Sequence, residues 1–342
     1  MTLRDLHGRP LGALRISVTD RCNLRCRYCM PAASYRWLPR ESLLGFEQIA
    51  RAVSAFVDLG VTKVRITGGE PLLRPDLPHL VRMLAEIPGI DDLALTTNAT
   101  RLAPLAAELR RAGLGRITIS LDTLRQDRMT VLTRHARIAD VMAGMDAART
   151  AGFQGTKLNT VVIRGVNDDE LADIVGLAAQ HGIEPRFIEY MDVGGATDWR
   201  MEDVVTADEI IGRLADRWGG AVPLRRGGDP HAPAERWRLG DGTVVGVVAS
   251  MSAPFCGDCD RSRLTADGFW YRCLYAREGT DLSGYLADDS DLEALRAAIV
   301  SGWSERADRG AEERQALPDR RILVPLTRLQ DDPRLEMHVR GG

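Results

Sequence analysis

The sequence predicts an α/β fold in which six βα units form a parallel barrel or partial barrel, followed by a smaller α+β region. Between about residues 14 and 218, short runs rich in β-branched residues alternate with amphipathic helical stretches. After Trp218, glycine-rich turns around short strands replace this alternation. We therefore expect a barrel over residues 1–219 and a second region over residues 220–342.

Six strands are predicted where β-favouring residues are bounded by turn residues. In chain order they are Leu14 to Thr19, Lys63 to Thr67, Asp92 to Thr97, Arg116 to Leu121, Lys157 to Ile163 and Arg186 to Met191. Amphipathic helices are predicted between and after them, because apolar residues recur there at helical spacing. They are Phe46 to Leu59, Leu77 to Ile87, Leu102 to Ala112, Ile138 to Ala151, Glu170 to His181 and Ala207 to Trp218. Active sites of such barrels lie at the carboxyl ends of the strands.

Composition and charge narrow the class of protein. The hydrophobic content of 44% can fill a large core, and no apolar run approaches membrane-spanning length. A net charge of −3 gives no general attraction for nucleic acid, so an anionic ligand must be met by local Arg and Lys. We expect a cytoplasmic enzyme that binds neither membrane nor nucleic acid. The charged run from Glu305 to Arg321 is expected to be a solvated helix or loop.

Three cysteines, Cys22, Cys26 and Cys29, lie in the loop after the first predicted strand. Three thiolates leave one iron of a [4Fe–4S] cluster open to a ligand that is not protein. The C-x-x-x-C-x-x-C spacing resembles the signature of radical S-adenosylmethionine (SAM) enzymes. The resemblance implies that SAM chelates the open iron, and that an electron from the cluster cleaves SAM to a 5′-deoxyadenosyl radical. It also implies a partial (βα)6 barrel of the radical SAM type.

The remaining cysteines form a second triad, Cys256, Cys259 and Cys273. Disulfides are disfavoured because the spacings are short and the chain starts without a signal peptide. A structural zinc is an open alternative, since C-x-x-C is also a zinc half-site that His231 or His338 could complete. Beside the first triad, a second [4Fe–4S] cluster is the favoured interpretation.

Residues near the ends of other strands are predicted to bind SAM. Thr67-Gly68-Gly69-Glu70-Pro71 follows the second strand, and its glycines let the backbone come close to a ligand. The run resembles the GGE element of radical SAM enzymes. The same resemblance implies that Gly69, Ser120 and Met191 line the SAM site and that Tyr28 packs near the adenine. Met191 could instead be a flexible core residue.

The match extends beyond the superfamily, because motifs along almost the whole chain resemble the GTP 3′,8-cyclases of molybdenum cofactor biosynthesis. These motifs span residues 17–22, 30–31, 63–72, 96–98, 120–122, 187–191 and 259–268 and the final Gly341-Gly342. The resemblance implies that the radical removes the C3′ hydrogen of GTP, that C3′ then bonds to guanine C8, and that a reduction step finishes the reaction. The product would be 3′,8-cyclo-7,8-dihydro-GTP. It further implies an external electron donor, a downstream cyclic pyranopterin monophosphate synthase and, as a possibility, a homodimer.

Basic residues on or beside the predicted strands indicate a polyanionic substrate independently of the resemblance. A buried cation without a partner is costly, and the Arg fork suits phosphate oxygens. The resemblance assigns eight residues to GTP, with the second cluster binding the purine: Arg15, Lys63, Arg65, Thr96, Lys157, Arg186, Arg261 and Arg263.

The carboxyl-terminal Gly341 and Gly342 are assigned to catalysis by the resemblance, because in that family the tail reaches into the active site. His338 and Arg340 depart from the expected Ser-x-Ile-Gly-Gly pattern, and Ala99 stands where the family has glycine. Two rival interpretations make different predictions. A peptide-modifying radical SAM enzyme predicts more cysteines and an acidic or apolar cleft, and a non-enzymatic scaffold or electron carrier needs no inward-facing cations.

Overall fold

A computed structural model describes residues 2–32, 34–134, 137–193, 199–224, 229–287, 291–318, 320 and 324–341. The strands of this part of the chain form one sheet. In chain order they are β1 Ala13–Ser17, β2 Lys63–Thr67, β3 Asp92–Thr97, β4 Arg116–Ser120, β5 Lys157–Val162, β6 Glu184–Glu189, β7 Ala221–Pro223, β8 Glu235–Leu239, β9 Val244–Val248, β10 Arg261–Leu264, β11 Phe269–Tyr271 and β12 Thr280–Asp281. Their spatial order is β12-β11-β10-β1-β2-β3-β4-β5-β6-β9-β8-β7.

The first six strands are parallel neighbours in chain order, which confirms the predicted barrel strands. Their register sets Arg15 beside Arg65 and Asn159 beside Arg186. Side chains at alternate positions of a strand share one face, so these polar residues point away from the apolar layer beneath the helices. β6 lies two residues earlier than predicted at both ends, as Glu184–Glu189 rather than Arg186 to Met191.

The strands after residue 219 join the same sheet instead of forming another one. β9 pairs in parallel with β6, and β10 pairs in parallel with β1, so the C-terminal region extends both edges of the barrel sheet. β7 and β8 then add antiparallel strands at one edge, and β11 and β12 do so at the other. The pairing of β10 with β1 brings the second cysteine triad beside the first.

The helices cover the apolar face of the sheet. They are α1 Phe46–Asp58, α2 Leu77–Ala85, α3 Ala106–Arg111, α4 Gln126–Thr133, α5 Ile138–Thr150, α6 Leu171–Gln180, α7 Ala207–Trp218, α8 Leu292–Ser304, α9 Gly310–Gln315 and α10 Leu326–Asp331. The bounds of α7 follow from its sequence: Thr206 and Glu209 form a reciprocal capping box, and Gly219 ends the helix at φ +71°. Helix α4 was not predicted, since only Met129, Leu132 and Thr133 of this largely polar segment are buried.

Buried apolar side chains of strands and helices form one main core. Phe56 of α1, Trp270 of β11 and Trp303 of α8 meet within it, with ring centroids 5.5 Å and 6.4 Å apart for the two contacts of Trp270. This aromatic contact joins the C-terminal region to the first helix of the barrel. In the described part of the chain, no helix has both the length and the apolar composition needed to cross a membrane.

Candidate functional site

One cavity of about 360 Å³ collects both cysteine triads. It lies at the carboxyl ends of the barrel strands, as the barrel prediction requires. All six cysteine residues line it, and none forms a disulfide. The predicted SAM residues Tyr28, Gly69, Ser120 and Met191 line the same cavity.

The first triad lies in a tight loop held to the barrel by backbone hydrogen bonds. Cys29 and Met30 donate their amides to the Cys26 carbonyl, and Arg25 donates its amide to Thr133 O at 2.8 Å. The Arg25 guanidinium also donates to Cys22 O at 2.8 Å. Burial raises the pKa of the Cys22 thiol to about 11, and burial also raises the pKa values of Cys26 and Cys29. Without metal these groups are protonated, so binding of iron must displace their protons.

One cysteine of the second triad, Cys259, lies in a more basic environment, whereas burial raises the pKa values of Cys256 and Cys273. Burial alone would raise the pKa of the Cys259 thiol, but Arg261 and Arg306 outweigh that effect and hold the pKa at about 7. Arg261 Nη2 lies 3.5 Å from Cys259 Sγ. A thiolate stabilised in this way is suited to binding iron.

The two histidines that could complete a zinc site at the second triad contact other groups in the structure. Among the described residues, no three His, Cys, Asp or Glu side chains are arranged to hold one metal ion. His231 Nδ1 lies 2.7 Å from the backbone oxygen of Asp258, and His338 packs edge-on against Tyr35 and Trp37. Three cysteines around an open cavity instead fit a cluster that has one iron without a protein ligand.

Buried arginines brace the loop of the second triad. Arg9 donates to Cys256 O at 2.9 Å, and Arg306 donates to Cys259 O at 2.9 Å. Asp5 pairs with both arginines, at 2.6 and 3.2 Å. The interpretation of Glu305 to Arg321 as solvated surface is therefore wrong for Arg306, which is 1% exposed. The carboxylate of Asp5 and the loop carbonyl compensate for its desolvation.

A second buried arginine of that segment joins the end of β6 to the other side of the loop. Arg314 donates to Asp192 at 2.8 Å, and Asp192 also accepts a 2.9 Å hydrogen bond from the Tyr275 hydroxyl. Helix α9 starts at Gly310, where a Cβ would come within 3.1 Å of Cys273 Sγ. These residues were missed by sequence reasoning, because the partners of Arg314 are distant in the chain.

The GGE element packs directly on the loop of the first triad. A Cβ at Gly69 would lie 2.5 Å from Arg21 O, and the amides of Gly69 and Glu70 donate to Thr19 O and Arg21 O. The Glu70 carboxylate accepts hydrogen bonds from Leu72 N, Thr97 Oγ1 and Asn98 N, and burial raises its pKa to about 7. Glu70 is thus a brace between strand ends, whereas the glycines make the close approach.

Tyr28 has a buried acidic partner that sequence reasoning missed. Its hydroxyl donates to Asp122 Oδ2 at 2.6 Å, and burial raises the pKa of Asp122 to about 6. Asp122 also lines the cavity. Its only sequence signal was its place in the Ser120-Leu121-Asp122 motif. Met191 is partly buried against a small apolar cluster and also lines the cavity, which fits both interpretations given to it.

The residues assigned to GTP fall into two groups. Arg15, Thr96, Arg186, Arg261 and Arg263 line the cavity. The other three are not among the residues that line it: Lys63, Arg65 and Lys157.

Those three have identifiable surroundings. Arg65 donates to Thr118 Oγ1 at 3.1 Å, and Lys63 Nζ lies 3.0 Å from carboxylate oxygens of both Asp229 and Asp260. Lys157 has Arg186 and Arg116 among its charged neighbours.

Positive charge is in excess inside the barrel. Burial and Arg116 lower the pKa of Arg65 to about 10, and burial and Arg261 lower that of Arg263 to about 10. Burial, with Arg186 and Arg116, lowers the pKa of Lys157 to about 7. Cations that depress one another's pKa values in this way are stabilised by an anion, and a triphosphate supplies several negative charges.

The tail lines this cavity with Met337 and His338, whereas Gly341 is not among the lining residues and contacts two residues that are, Thr67 and Arg263. Gly341 has φ +69°, a Cβ there would collide with Thr67 Cγ2, and its carbonyl accepts a 2.7 Å hydrogen bond from Arg263. Gly342 lies outside the described residues. Ala99, expected to restrict the backbone after β3, takes the left-handed φ of +60° and is fully buried. Alanine is less stable than glycine in that conformation, so the surrounding packing must hold it there.

Comparisons with known proteins identify the family of this chain. The model of the radical SAM superfamily matches residues 16–178, and the model described as Molybdenum Cofactor Synthesis C matches residues 183–312. GTP 3′,8-cyclase 3 of Mycobacterium bovis is 48% identical, over 99% of this chain and 90% of its own length. GTP 3′,8-cyclase 1 of Mycobacterium tuberculosis is 49% identical, over 99% and 95%.

A solved structure of Streptococcus suis SuiB bound to precursor peptide SuiA is also similar. The TM-score is 0.61 at 16% identity, and the match covers 91% of this chain and 68% of SuiB. Likeness at that identity shows the fold alone. The curated relatives, in contrast, match almost end to end and at nearly half of all positions. The chain belongs to the GTP 3′,8-cyclase family of radical SAM enzymes.

Proposed function

We propose that this protein converts GTP to 3′,8-cyclo-7,8-dihydro-GTP, with the two cysteine triads and the cations between them as its working parts. One observation carries the proposal: both triads and five of the eight residues assigned to GTP line a single cavity. A scaffold or electron carrier has no need of buried cations between its clusters. Residues 1–219 supply the radical SAM half of the site, and residues 220–342 supply the second triad and the tail.

Cys22, Cys26 and Cys29 would hold the first [4Fe–4S] cluster, and Cys256, Cys259 and Cys273 the second. When bound, the first cluster and SAM supply the one-electron chemistry that removes the C3′ hydrogen of the ribose. On the protein side, Tyr28, Gly69, Ser120 and Met191 line the SAM end of the cavity. The Tyr28–Asp122 hydrogen bond fixes the tyrosine ring beside the first triad.

The basic side chains orient the substrate. Arg15, Thr96 and Arg186 line the cavity and form the anion-binding part of the barrel. Arg65 and Lys157 lie behind them outside the lining and add positive charge, whereas Lys63 is paired with Asp229 and Asp260. Arg261 and Arg263 project from β10 and line the cavity with the second triad, where the purine would lie. Holding C3′ and C8 of GTP close together in one geometry lowers the entropic cost of forming the bond between them. The enclosed cavity also keeps water away from the carbon radical.

The partners of the reaction are also part of the proposal. An external electron donor must reduce the first cluster, and a cyclic pyranopterin monophosphate synthase would consume the product. A cytoplasmic location suits clusters that need a reducing compartment. A homodimer is compatible with this account, which assigns no residue of a second copy to the site.

GTP binding should weaken as pH rises from 7 to 9. Burial and Arg186 hold the pKa of Lys157 near 7, so this amine is charged below pH 7 and neutral above it in the free protein. A bound triphosphate favours the ammonium form of Lys157 and raises its pKa, so the affinity for GTP is greatest below pH 7. Above pH 7 the amine must take up a proton when GTP binds, so the affinity falls by up to about tenfold per pH unit. GTP affinity is measured by equilibrium dialysis. Lys157→Met should show no dependence of GTP affinity on pH over this range, and Lys157→Arg should bind GTP with an affinity that is also independent of pH. An equal slope in all three proteins would assign the titration elsewhere.

Arg263→Ala should weaken GTP binding more than SAM binding. Arg263 lines the cavity four residues after Cys259, and a hydrogen bond to a charged group contributes about 1.5–3 kcal/mol, or roughly ten- to a hundredfold in affinity. Arg238→Ala, at an exposed position of β8, is the matched control and should bind both ligands normally. Unchanged GTP affinity of Arg263→Ala in equilibrium dialysis would give Arg263 a structural role.

The function itself is tested with anaerobically purified, reduced protein. About eight irons per chain are expected, because each cubane holds four. Incubation with SAM should yield 5′-deoxyadenosine with GTP and much less with ATP. About four irons and one zinc would restore the zinc alternative for the second triad, and equal yields with ATP would overturn the substrate.

A further inference from the structure

The two residues that depart from the family's tail pattern are buried anchors. His338 is 2% exposed and Arg340 is 4% exposed. Burying a cation is costly, and ordering two side chains costs conformational entropy. Specific contacts must therefore compensate for their ordering.

Arg340 holds the tail to the loop of the second triad. Its guanidinium donates to Leu274 O at 2.9 Å and to Ala276 O at 2.6 Å, directly after Cys273. Its Nε donates to Arg334 O at 2.7 Å, and its guanidinium carbon lies 4.1 Å from the centroid of the Tyr271 ring. Three carbonyls and an aromatic face together bind one planar cation, an arrangement that a leucine or isoleucine could not form.

His338 holds the same tail to the loop of the first triad. Its ring meets Tyr35 and Trp37 edge-on, with centroids 5.3 and 5.7 Å apart. These aromatics follow Cys29 in the chain, and the Arg25 guanidinium of the triad loop lies 5.3 Å from the Trp37 ring centroid. The tail thus contacts one cysteine loop on each side.

His338 and Arg340 fix the position of the last residues of the tail and of the side chain that contacts them, Arg263. Arg263 Nη1 donates to the carbonyls of Arg340 at 3.1 Å and Gly341 at 2.7 Å, so the tail also orients an arginine that lines the cavity. Between the anchors, Val339 is fully buried against Leu38 and Ala266. Along the tail, His338 therefore contacts the side of the first triad and Val339 enters the core. Arg340 then contacts the loop of the second triad, and the Gly341 carbonyl accepts a hydrogen bond from Arg263.

We propose that His338 and Arg340 are positioning residues that latch the tail to both cysteine loops, so that Gly341 and Arg263 meet the substrate in one fixed arrangement. This inference rests on the proposed function. The latch couples radical formation to cyclisation: without it, radicals still form but the ribose is presented in the wrong geometry. Positional errors of about 1 Å can cost on the order of a hundredfold in rate.

The test compares Arg340→Leu with Arg328→Leu, the same change at an exposed position of α10. The measured quantity is cyclised product per 5′-deoxyadenosine at saturating GTP. For Arg340→Leu this ratio should fall roughly tenfold or more, while Arg328→Leu keeps the parent ratio. Arg340→Lys should recover part of it, because an ammonium also donates to carbonyls but lacks the planar fork.

Backbone hydrogen exchange supplies a readout that does not depend on activity. Amides of residues 334–341 should exchange faster in Arg340→Leu and His338→Ala, while those of β1 to β6 remain protected. A parallel loss of 5′-deoxyadenosine and product, with an unchanged ratio and an unchanged tail, would reduce both residues to general stability. If Arg340→Leu fails to fold, Arg340→Lys and His338→Ala decide by the same two measurements. A parent protein that makes no 5′-deoxyadenosine with GTP would refute the function, whereas hydrogen exchange would still test the latch.

Discussion

Replacing Cys26 with serine should abolish cleavage of SAM, whereas Cys259→Ser should retain part of it. Cys26 is the central residue of the loop after β1, and its carbonyl organises that loop by accepting the amides of Cys29 and Met30. Removing one of three ligands leaves two, which cannot hold the cluster that SAM must reach. Cys259 lies in the other triad, beside Arg261, where the account places the purine.

The two serine variants are matched, because each removes one sulfur and changes little volume. The measurement is 5′-deoxyadenosine formed by reduced protein in the absence of GTP. Iron content should fall by about half in each variant, since each cubane contributes four irons. Equal cleavage of SAM by both variants would show that the triads do not divide the work.

Gly69→Ala should reduce cleavage of SAM by about a hundredfold or more. The added Cβ would lie 2.5 Å from Arg21 O and 2.7 Å from Asp20 O. Both neighbours are backbone atoms of the segment that leads into Cys22, so the loop of the first triad must move as a unit. A methyl group at Gly69 should therefore displace the cluster ligand Cys22 and should also narrow the SAM end of the cavity.

Gly212→Ala is the control for this change. Gly212 lies inside α7, and a methyl group added there would have no neighbour within 4 Å among the described residues outside its own helix turn, so alanine should be tolerated or raise stability by up to about 1 kcal/mol. Iron content of the first cluster, SAM cleavage and the unfolding temperature are measured for both variants. If Gly69→Ala matched Gly212→Ala in all three, the close approach of the GGE element would have no functional meaning.

Local sequence patterns were sufficient for the barrel strands and for locating the two cysteine triads. The strands β2 and β3 have the predicted bounds, because each is a short run of β-favouring residues between turn signals. The cysteine triads were recognisable from the short spacings between their cysteines, and both triads line the cavity. The GGE glycines were also identified, since a close backbone approach limits the choice of residue.

Contacts between distant parts of the chain could not be read from the sequence. The pairing of β10 with β1 joins Ala13 to Arg261, and no local signal indicates such a partner. Burial of Arg306 depends on Asp5, 301 residues earlier in the chain. A charged run without visible partners looks solvated, which is why the interpretation of Glu305 to Arg321 was wrong for Arg306 and Arg314.

In the tail and in the turn after β3, the sequence showed residues that depart from the family pattern but could not show their surroundings. His338 and Arg340 departed from the family pattern, and only the folded chain shows Tyr35, Trp37 and the Leu274 and Ala276 carbonyls around them. Ala99 departs at a position where glycine is expected, and the backbone still takes φ +60°. Tertiary packing decided the conformation where local preference opposed it.

In the proposed reaction, this cavity directs a radical to C3′ of GTP. The direct measurement uses GTP carrying deuterium at C3′, with reduced protein and SAM, followed by mass spectrometry of the 5′-deoxyadenosine. The account predicts that this product gains one deuterium and that the cyclised nucleotide loses it. 5′-Deoxyadenosine without deuterium, formed alongside cyclised product that keeps it, would contradict the account.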